Sequence, residues 1–361
     1  MSNKLRFYEI DGLRFIAAIL VVFYHYTFRG YAADNMSVVP FEGISVLSRY
    51  GYLGVDLFFI ISGFVILLSA QHGDSMRFIV SRIVRIYPAF WVGLTVTSIA
   101  MALYALPPFE ITWSQWALNL PLIGSFLGVE YVDGVYWSLL VELKFYFLIL
   151  LLLLFGQITR TEYFMGGWLL ITAVLTFADG PGAAHFFFFP EWAHYFVAGA
   201  MFYTLRVNGF NLYRVTVLLG AFALSIYNVY SSIALTAGHY QAEFSTPIAI
   251  GFVTLFYAVF LLVSLNKTGW VNHPMLLPVG ALTYPLYLVH QNIGFIVINT
   301  LHESINKYVL LVLTIAIAIG LAWAINAVAE KRFGPILKSW LEIALKPLIQ
   351  LGTQLQKRLQ A

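Results

Sequence analysis

Apolar runs of helix length recur from one end of the chain to the other, and few folds are open to a sequence built that way. About ten are long enough to cross a bilayer: residues 12–30, 52–70, 86–105, 137–156, 163–178, 191–206, 213–232, 247–265, 279–299 and 308–329. A segment in hydrocarbon must satisfy its own backbone hydrogen bonds, which leaves helices and closed barrels. These runs are not ten-residue alternations of apolar and polar side chains, so the sequence predicts an all-α polytopic membrane bundle of about ten transmembrane helices. Only 10% of the 361 residues are charged, against about 25% in a soluble domain. The first run is too long for a cleavable signal and lacks a small-residue cleavage site, so it reads as the first transmembrane helix. The absence of cysteine removes disulfides, thiolate nucleophiles and cysteine-ligated metals. A net charge of +3 speaks to topology rather than to nucleic acid.

Lysine and arginine near the run ends set the orientation. With the N-terminus in the cytoplasm, that side holds Lys4, Arg6, Arg77, Arg82, Arg85, Arg160, Arg206, Arg214, Lys267, Lys331 and Arg332. The other side holds Arg29, Arg49 and Lys307. The bias predicts both termini inside and an even number of spans. Residues 1–333 read as one membrane domain. Residues 334–361 combine Leu337, Trp340, Leu341, Leu345, Leu348 and Leu355 with Lys338, Lys346, Lys357 and Arg358, which predicts an amphipathic tail helix on the cytoplasmic membrane face. No appended soluble domain is expected. The loop 71–85 is basic, and the loop 106–136, with Trp113 and Trp116 but no lysine or arginine, is expected along the interface.

Within this apolar frame the ionisable residues stand out. Arg14 and His25 lie eleven positions apart in the first run. At about 100° per residue that is three turns plus about 20°, so both share one stripe, about 16 Å apart along the axis. Asp11, Ala18 and Arg29 fall near the same stripe. Such groups are costly at membrane depth unless paired or facing a wet cavity, so the stripe faces protein or water. Arg82 and Arg85 are one turn apart and suit a phosphorylated cytosolic ligand. Histidine near mid-membrane suits general-base work, and Glu142 is a carboxylate that could orient it. Ser138, Glu142 and Tyr146 share a face of the fourth span. Ser62 and Gly63 would admit a close helix neighbour. Pro285 is expected to kink the ninth span, with His290 just beyond.

Five segments in order resemble the acyltransferase-3 family of membrane acyltransferases, which includes bacterial polysaccharide O-acetyltransferases. They are Arg14 and His25 with ten residues between them; G-Y-L-G-V-D-L-F-F-I-I-S-G-F at 51–64; R-I-V-R-I-Y-P at 82–88; Y-W-S-L-L-V-E-L-K-F-Y at 136–146; and Y-P-L-Y-L-V-H at 284–290. The resemblance spans residues 6–333. It implies a ten-helix core that moves an acyl group, most simply acetyl, from cytosolic acetyl-CoA (acyl-CoA) to a glycan hydroxyl at the outer face. It implies catalytic roles for His25 and Arg14, with Glu142 in support, and acyl-CoA binding by Arg82, Arg85 and Arg14. Asp56, Ser62, Trp137, Ser138, Tyr146, Tyr287 and His290 are candidates for acceptor contact or structural support. The implied setting is the bacterial inner membrane. The implied acceptor is a cell-surface or exported polysaccharide, a glycolipid or a lipid-linked oligosaccharide, with polysaccharide-assembly proteins as partners. No resident cofactor, metal or nucleic acid is expected.

Plainer roles compete at each position. Arg82 and Arg85 also fit positive-inside anchoring. His25 and His290 fit interhelical hydrogen bonds. Glu142 fits a structural ion pair, Asp56 a helix start, and Lys144 a snorkelling side chain. His185, His194, His239 and His302 show no metal-ligand pattern. A proton-coupled transporter or flippase using His25 and Glu142 is the reading from another class. The sequence shows no inverted repeat to support it.

Overall fold

The computed structural model describes residues 7–347 apart from positions 34 and 179. Among the described residues there are helices and connections but no strand. Ten helices have seventeen residues or more, and we number them in chain order. They are α1 (Tyr8–Ala32), α2 (Gly54–Ala70), α3 (Ser75–Tyr104), α4 (Trp137–Leu154), α5 (Thr161–Phe177), α6 (Pro190–Asn208), α7 (Leu212–Tyr240), α8 (Thr246–Ser264), α9 (Leu276–Leu301) and α10 (Lys307–Ile325). Eight of the described helices are long and apolar enough to cross a membrane. The other two of the ten expected spans are α5, which has seventeen residues, and α6, which carries Glu191, His194 and Arg206. α6 is nonetheless the most enclosed of the set, with every residue from Ala193 to Leu205 buried. It lies inside the bundle, where protein rather than lipid covers its polar groups.

Local chemistry sets the helix limits. Asp74 caps α3 by accepting from the Arg77 N–H, and Asn211 caps α7 by accepting from the Arg214 N–H. Pro190 and Pro247 stand in the first turns of α6 and α8, where a missing N–H costs nothing. The Asp74 cap corrects one expectation. Residues 75–85 are not loop but the first turns of a thirty-residue helix, which puts Arg82 and Arg85 on one rigid element.

Polar contacts define the two ends of the bundle. At one end the Tyr8 N–H donates to Asn272, Thr268 donates to Glu9, and Arg206 donates to Asn266. At the other, the Val38 N–H donates to Asn299, Lys307 donates to the Pro40 carbonyl, and Arg49 reaches the Glu243 carbonyl. Arg14, Arg82 and Arg85 belong to the first end, and the far half of α1 runs toward the second. The 106–136 connection departs from a purely interfacial path. Trp113 is exposed, but Val132, Asp133, Val135 and Tyr136 are buried, because Asn292 of α9 donates to the Val132 carbonyl and holds the segment in the bundle.

α2 approaches α6 closely. A Cβ on Gly63 would fall on the Phe196 carbonyl oxygen, and one on Gly199 would fall on that of Ile60. The small-residue expectation for Gly63 therefore finds its partner in Gly199. No rotamer change relieves a clash with backbone, so Gly63→Val should separate the pair and cost about 1–3 kcal/mol or more. A thermal melt in detergent tests this, and a wild-type midpoint would contradict it.

The helix after α10, Gly334–Ala344, exposes Ile336, Trp340 and Ile343 along one side and carries a Lys338–Glu342 pair. Leu348, Leu355, Lys357 and Arg358, like Lys4 and Arg6, lie outside the described residues.

Candidate active site

A partly open cavity of about 100 Å³ lies between α1, α2, α3, α4 and α9. Its α2 wall runs from Ile66 to Val55, about 16 Å at helical rise. Three arginines, Arg14, Arg82 and Arg85, line the cavity together with Glu142. Each guanidinium is held differently. Arg82 lies over the rings of Phe78 and Tyr146, at 5.7 and 5.6 Å. Arg85 lies over Tyr284 at 5.6 Å and pairs with Glu330 at 3.0 Å. Arg14 pairs with Asp11, one turn back, at 3.4 Å. Aromatic faces and carboxylates thus hold the cations in place before any ligand arrives. Glu330 was not singled out from sequence. It reaches Arg85 because residues Asn326–Phe333 form a widened π-type stretch, a local geometry that hydropathy does not announce.

Glu142 accepts from Ser62 at 2.6 Å and from Tyr146 at 2.8 Å. Its bonds thus join α2 to α4 on the cavity wall. The expected role of orienting His25 does not appear in this geometry. Glu142 stands one turn beyond Ser138 along α4, among the arginines, and imidazole and guanidinium groups surround His25 instead. At the cavity's far end the Ser138 and Tyr287 hydroxyls bond each other at 2.6 Å, one donating to the other, and the Val135 carbonyl accepts from the hydroxyl whose hydrogen remains free.

His25 lies beyond that end and does not line the cavity. It is 4% exposed and opens a π-type turn, His25–Arg29, inside α1. Its hydrogen bonds fix its tautomer. Nδ1 is 2.8 Å from the Val21 carbonyl, which can only accept, so Nδ1 carries the hydrogen. The lone pair is then on Nε2, where Arg29 Nη1 donates at 3.2 Å. His290 stands with its Nε2 at 3.1 Å from His25 Nδ1, the two rings nearly perpendicular. Its own Nδ1 is 2.9 Å from the Tyr287 carbonyl and so carries its hydrogen. Both rings are neutral in this arrangement, and His290 offers the lone pair toward His25.

A polar chain extends from this pair. Arg29 Nη1 also donates to Gln291 Oε1 at 3.2 Å, and Gln291 Nε2 donates to Asn292 Oδ1 at 3.3 Å. The Asn292 N–H donates to Asp133 at 3.1 Å. Burial pushes the Asp133 carboxyl up to about 6, against the pull of the Asn292 and Val135 N–H groups that bond it. Gln291, Asn292 and Asp133 were not identified from sequence. Gln291 and Asn292 directly follow His290, which is the one signal that could have found them.

The structure therefore brings the sequence candidates together in two groups. Arg14, Arg82, Arg85, Glu142, Ser62, Ser138, Tyr146 and Tyr287 share the cavity. His25 and His290 form a buried pair beyond it. Tyr287 joins the groups, because its ring lies 5.7 Å from that of His290. Two candidates stand apart. Asp56 faces Tyr195 of α6, and Trp137 packs on Trp192 and Phe59. Lys144 sits 4.0 Å over the Phe186 ring. Among the described residues, no three histidine or acidic side chains converge as a metal site would require.

A polytopic helical bundle with arginines around an internal cavity and a buried histidine pair defines a class of membrane protein, and comparison with known proteins gives the family. The acyltransferase-domain model of the acyltransferase-3 family matches residues 7–327, and the chain belongs to that family. ORF330 of Acidianus two-tailed virus, provisionally named an acetyltransferase, is 24% identical over 287 residues, 78% of this chain and 82% of that one. BcsY of Komagataeibacter xylinus, provisionally named a membrane-bound transacylase, is 27% identical over 320 residues, 81% of this chain and 74% of that one. Nodulation protein 10 of Rhizobium leguminosarum bv. viciae is 30% identical over 198 residues, about half of each chain. No solved structure matches the chain. The protein is a multi-pass membrane acyltransferase.

Proposed function

We propose that this acyltransferase moves an acetyl group from cytosolic acetyl-CoA to a glycan hydroxyl presented at the opposite face of a bacterial inner membrane. The observation that carries the reading is the join at Tyr287. A cavity edged by Arg14, Arg82 and Arg85 ends at a residue that packs directly on His290, the partner of His25. Phosphates of the donor meet the arginines, which pair with phosphate through charge-assisted hydrogen bonds. The pantetheine arm follows the α2 wall, and the thioester is delivered past Ser138 and Tyr287. The acceptor enters from the second end of the bundle, so neither substrate crosses the membrane whole.

His25 is the general base in this scheme, and its Nε2 is the accepting atom, because Nδ1 already carries hydrogen. The acceptor oxygen attacks the thioester carbonyl as its proton passes to Nε2. The carbonyl electrons move onto oxygen and return as the carbon–sulfur bond breaks. The proton on Nε2 then goes to the CoA thiolate. The products are the acetyl ester and CoA. His290 supports the charged ring through its Nε2 lone pair on Nδ1–H. Glu142 holds α2 and α4 in register at the cavity wall.

The test is acetyl-CoA binding to protein purified in nanodiscs, followed by mass detection of the acetylated glycan. Flux of a glycan precursor without ester formation would favour the transporter reading instead. Glu330 supplies a further check. It competes with a phosphate for Arg85, so Glu330→Gln should tighten acetyl-CoA binding about fivefold, the value of about 1 kcal/mol. Calorimetric titration reads this directly, and weaker binding in the variant would mean that Glu330 positions Arg85 rather than competing for it.

A further inference from the structure

The geometry points to Arg29 as a second catalytic residue, one that caps the base nitrogen at rest and moves to the thioester carbonyl oxygen during transfer. This rests on the acetyl-transfer reading above and adds a residue that the Arg14–His25 pattern does not include. The first observation is the bond itself. In the tautomer fixed by Val21, Nε2 is the ring's only lone pair, and Arg29 Nη1 donates to it at 3.2 Å. A hydroxyl can hand its proton to Nε2 only by taking that place.

The second observation concerns charge. Once Nε2 is protonated, imidazolium and guanidinium would face each other at hydrogen-bond distance, and like charges repel. Arrival of the acceptor and transfer of its proton therefore both drive the guanidinium off Nε2. The third observation is the tether. The same Nη1 donates to Gln291 Oε1 at 3.2 Å, and Gln291 is held by Asn292. The guanidinium pivots about that bond rather than leaving. The carbonyl under attack is bonded to the oxygen that has just replaced Nη1, so its own oxygen falls within the pivot's reach. There the guanidinium donates to the negative charge as it forms. When the carbon–sulfur bond breaks and Nε2 gives its proton to the thiolate, the repulsion ends and Arg29 returns.

The test compares wild type, Arg29→Gln, Arg29→Lys and His25→Ala in nanodiscs, with kcat, KM for acetyl-CoA and thermal midpoint measured for each. Loss of an oxyanion donor typically lowers kcat by about 10²–10³, and that is the expected result for Arg29→Gln, with KM for acetyl-CoA little changed. Arg29→Lys keeps the charge without the planar fork and should fall only about tenfold below wild type. Because both residues act in one step, the Arg29→Gln/His25→Ala double variant should lose less than the product of the two single losses. An Arg29→Gln enzyme with near-wild-type kcat would overturn the inference. So would equal kcat losses in Gln and Lys variants accompanied by lower thermal midpoints, which mark a structural clamp. If Arg29→Gln does not accumulate, the Lys variant decides: wild-type kcat there overturns the assignment. Inactive His25→Ala beside active Arg29→Gln would remove the inference and leave the acetyl-transfer reading in place, whereas a wild-type protein that transfers nothing would remove that reading itself.

Discussion

His25→Ala is expected to lower acetyl transfer by about 10²–10⁴-fold, the usual cost of removing a general base. The protein should still insert and fold. The ring bonds His290 of α9, and the two helices also meet through the Tyr26 hydroxyl, which donates to the His290 carbonyl at 2.7 Å. α1 and α2 also pack around Ala17 and Val21, where a Cβ on Gly54 would meet the Ala17 carbonyl and the Val21 side chain. Acetyl-CoA binding should be nearly unchanged, because His25 does not line the cavity. A loss of kcat with intact donor affinity separates chemistry from binding. Near-normal acetylation by a well-expressed His25→Ala protein would end the catalytic assignment.

Replacing both Arg82 and Arg85 with alanine is expected to raise the Kd for acetyl-CoA by about 10²–10⁴. A charge-assisted hydrogen bond contributes about 1.5–3 kcal/mol, and two of them make about 3–6, with every 1.4 kcal/mol worth a factor of ten. The lower half of that range is expected, because Arg85 already bonds Glu330 and gains less from a phosphate. Arg82 carries the larger share. It lies on aromatic faces and needs no carboxylate displaced. Calorimetry on the purified variant measures the change. Wild-type affinity together with mixed insertion of the chain would make the pair topological anchors alone.

Helix content and the grouping of the arginines were legible in the sequence because both follow from local rules. Apolar length sets the spans, and three-residue spacing makes Arg82 and Arg85 neighbours once their segment is helical, as the α3 turns are. The surroundings of His25 were not legible. Glu142 and His25 are both ionisable groups inside spans, and hydropathy cannot say that one faces Ser62 while the other faces His290. That division depends on which helices pack together. The Arg29 contact was half visible: helical arithmetic placed Arg29 near the Arg14–His25 stripe. Its direct bond to Nε2 needed the tautomer, and the tautomer needed the Val21 carbonyl. Glu330 was missed for a different reason. Its reach to Arg85 depends on a widened turn after α10 that no residue pattern in that stretch announces.

In this scheme one site joins a donor from the cytoplasmic face to an acceptor at the opposite face. Inside-out membrane vesicles test it most directly, with radiolabelled acetyl-CoA outside and glycan acceptor enclosed in the lumen. Label is expected on lumenal glycan without transport of free acetyl-CoA, and none in vesicles carrying His25→Ala. Label only on glycan supplied to the same face as acetyl-CoA would contradict it.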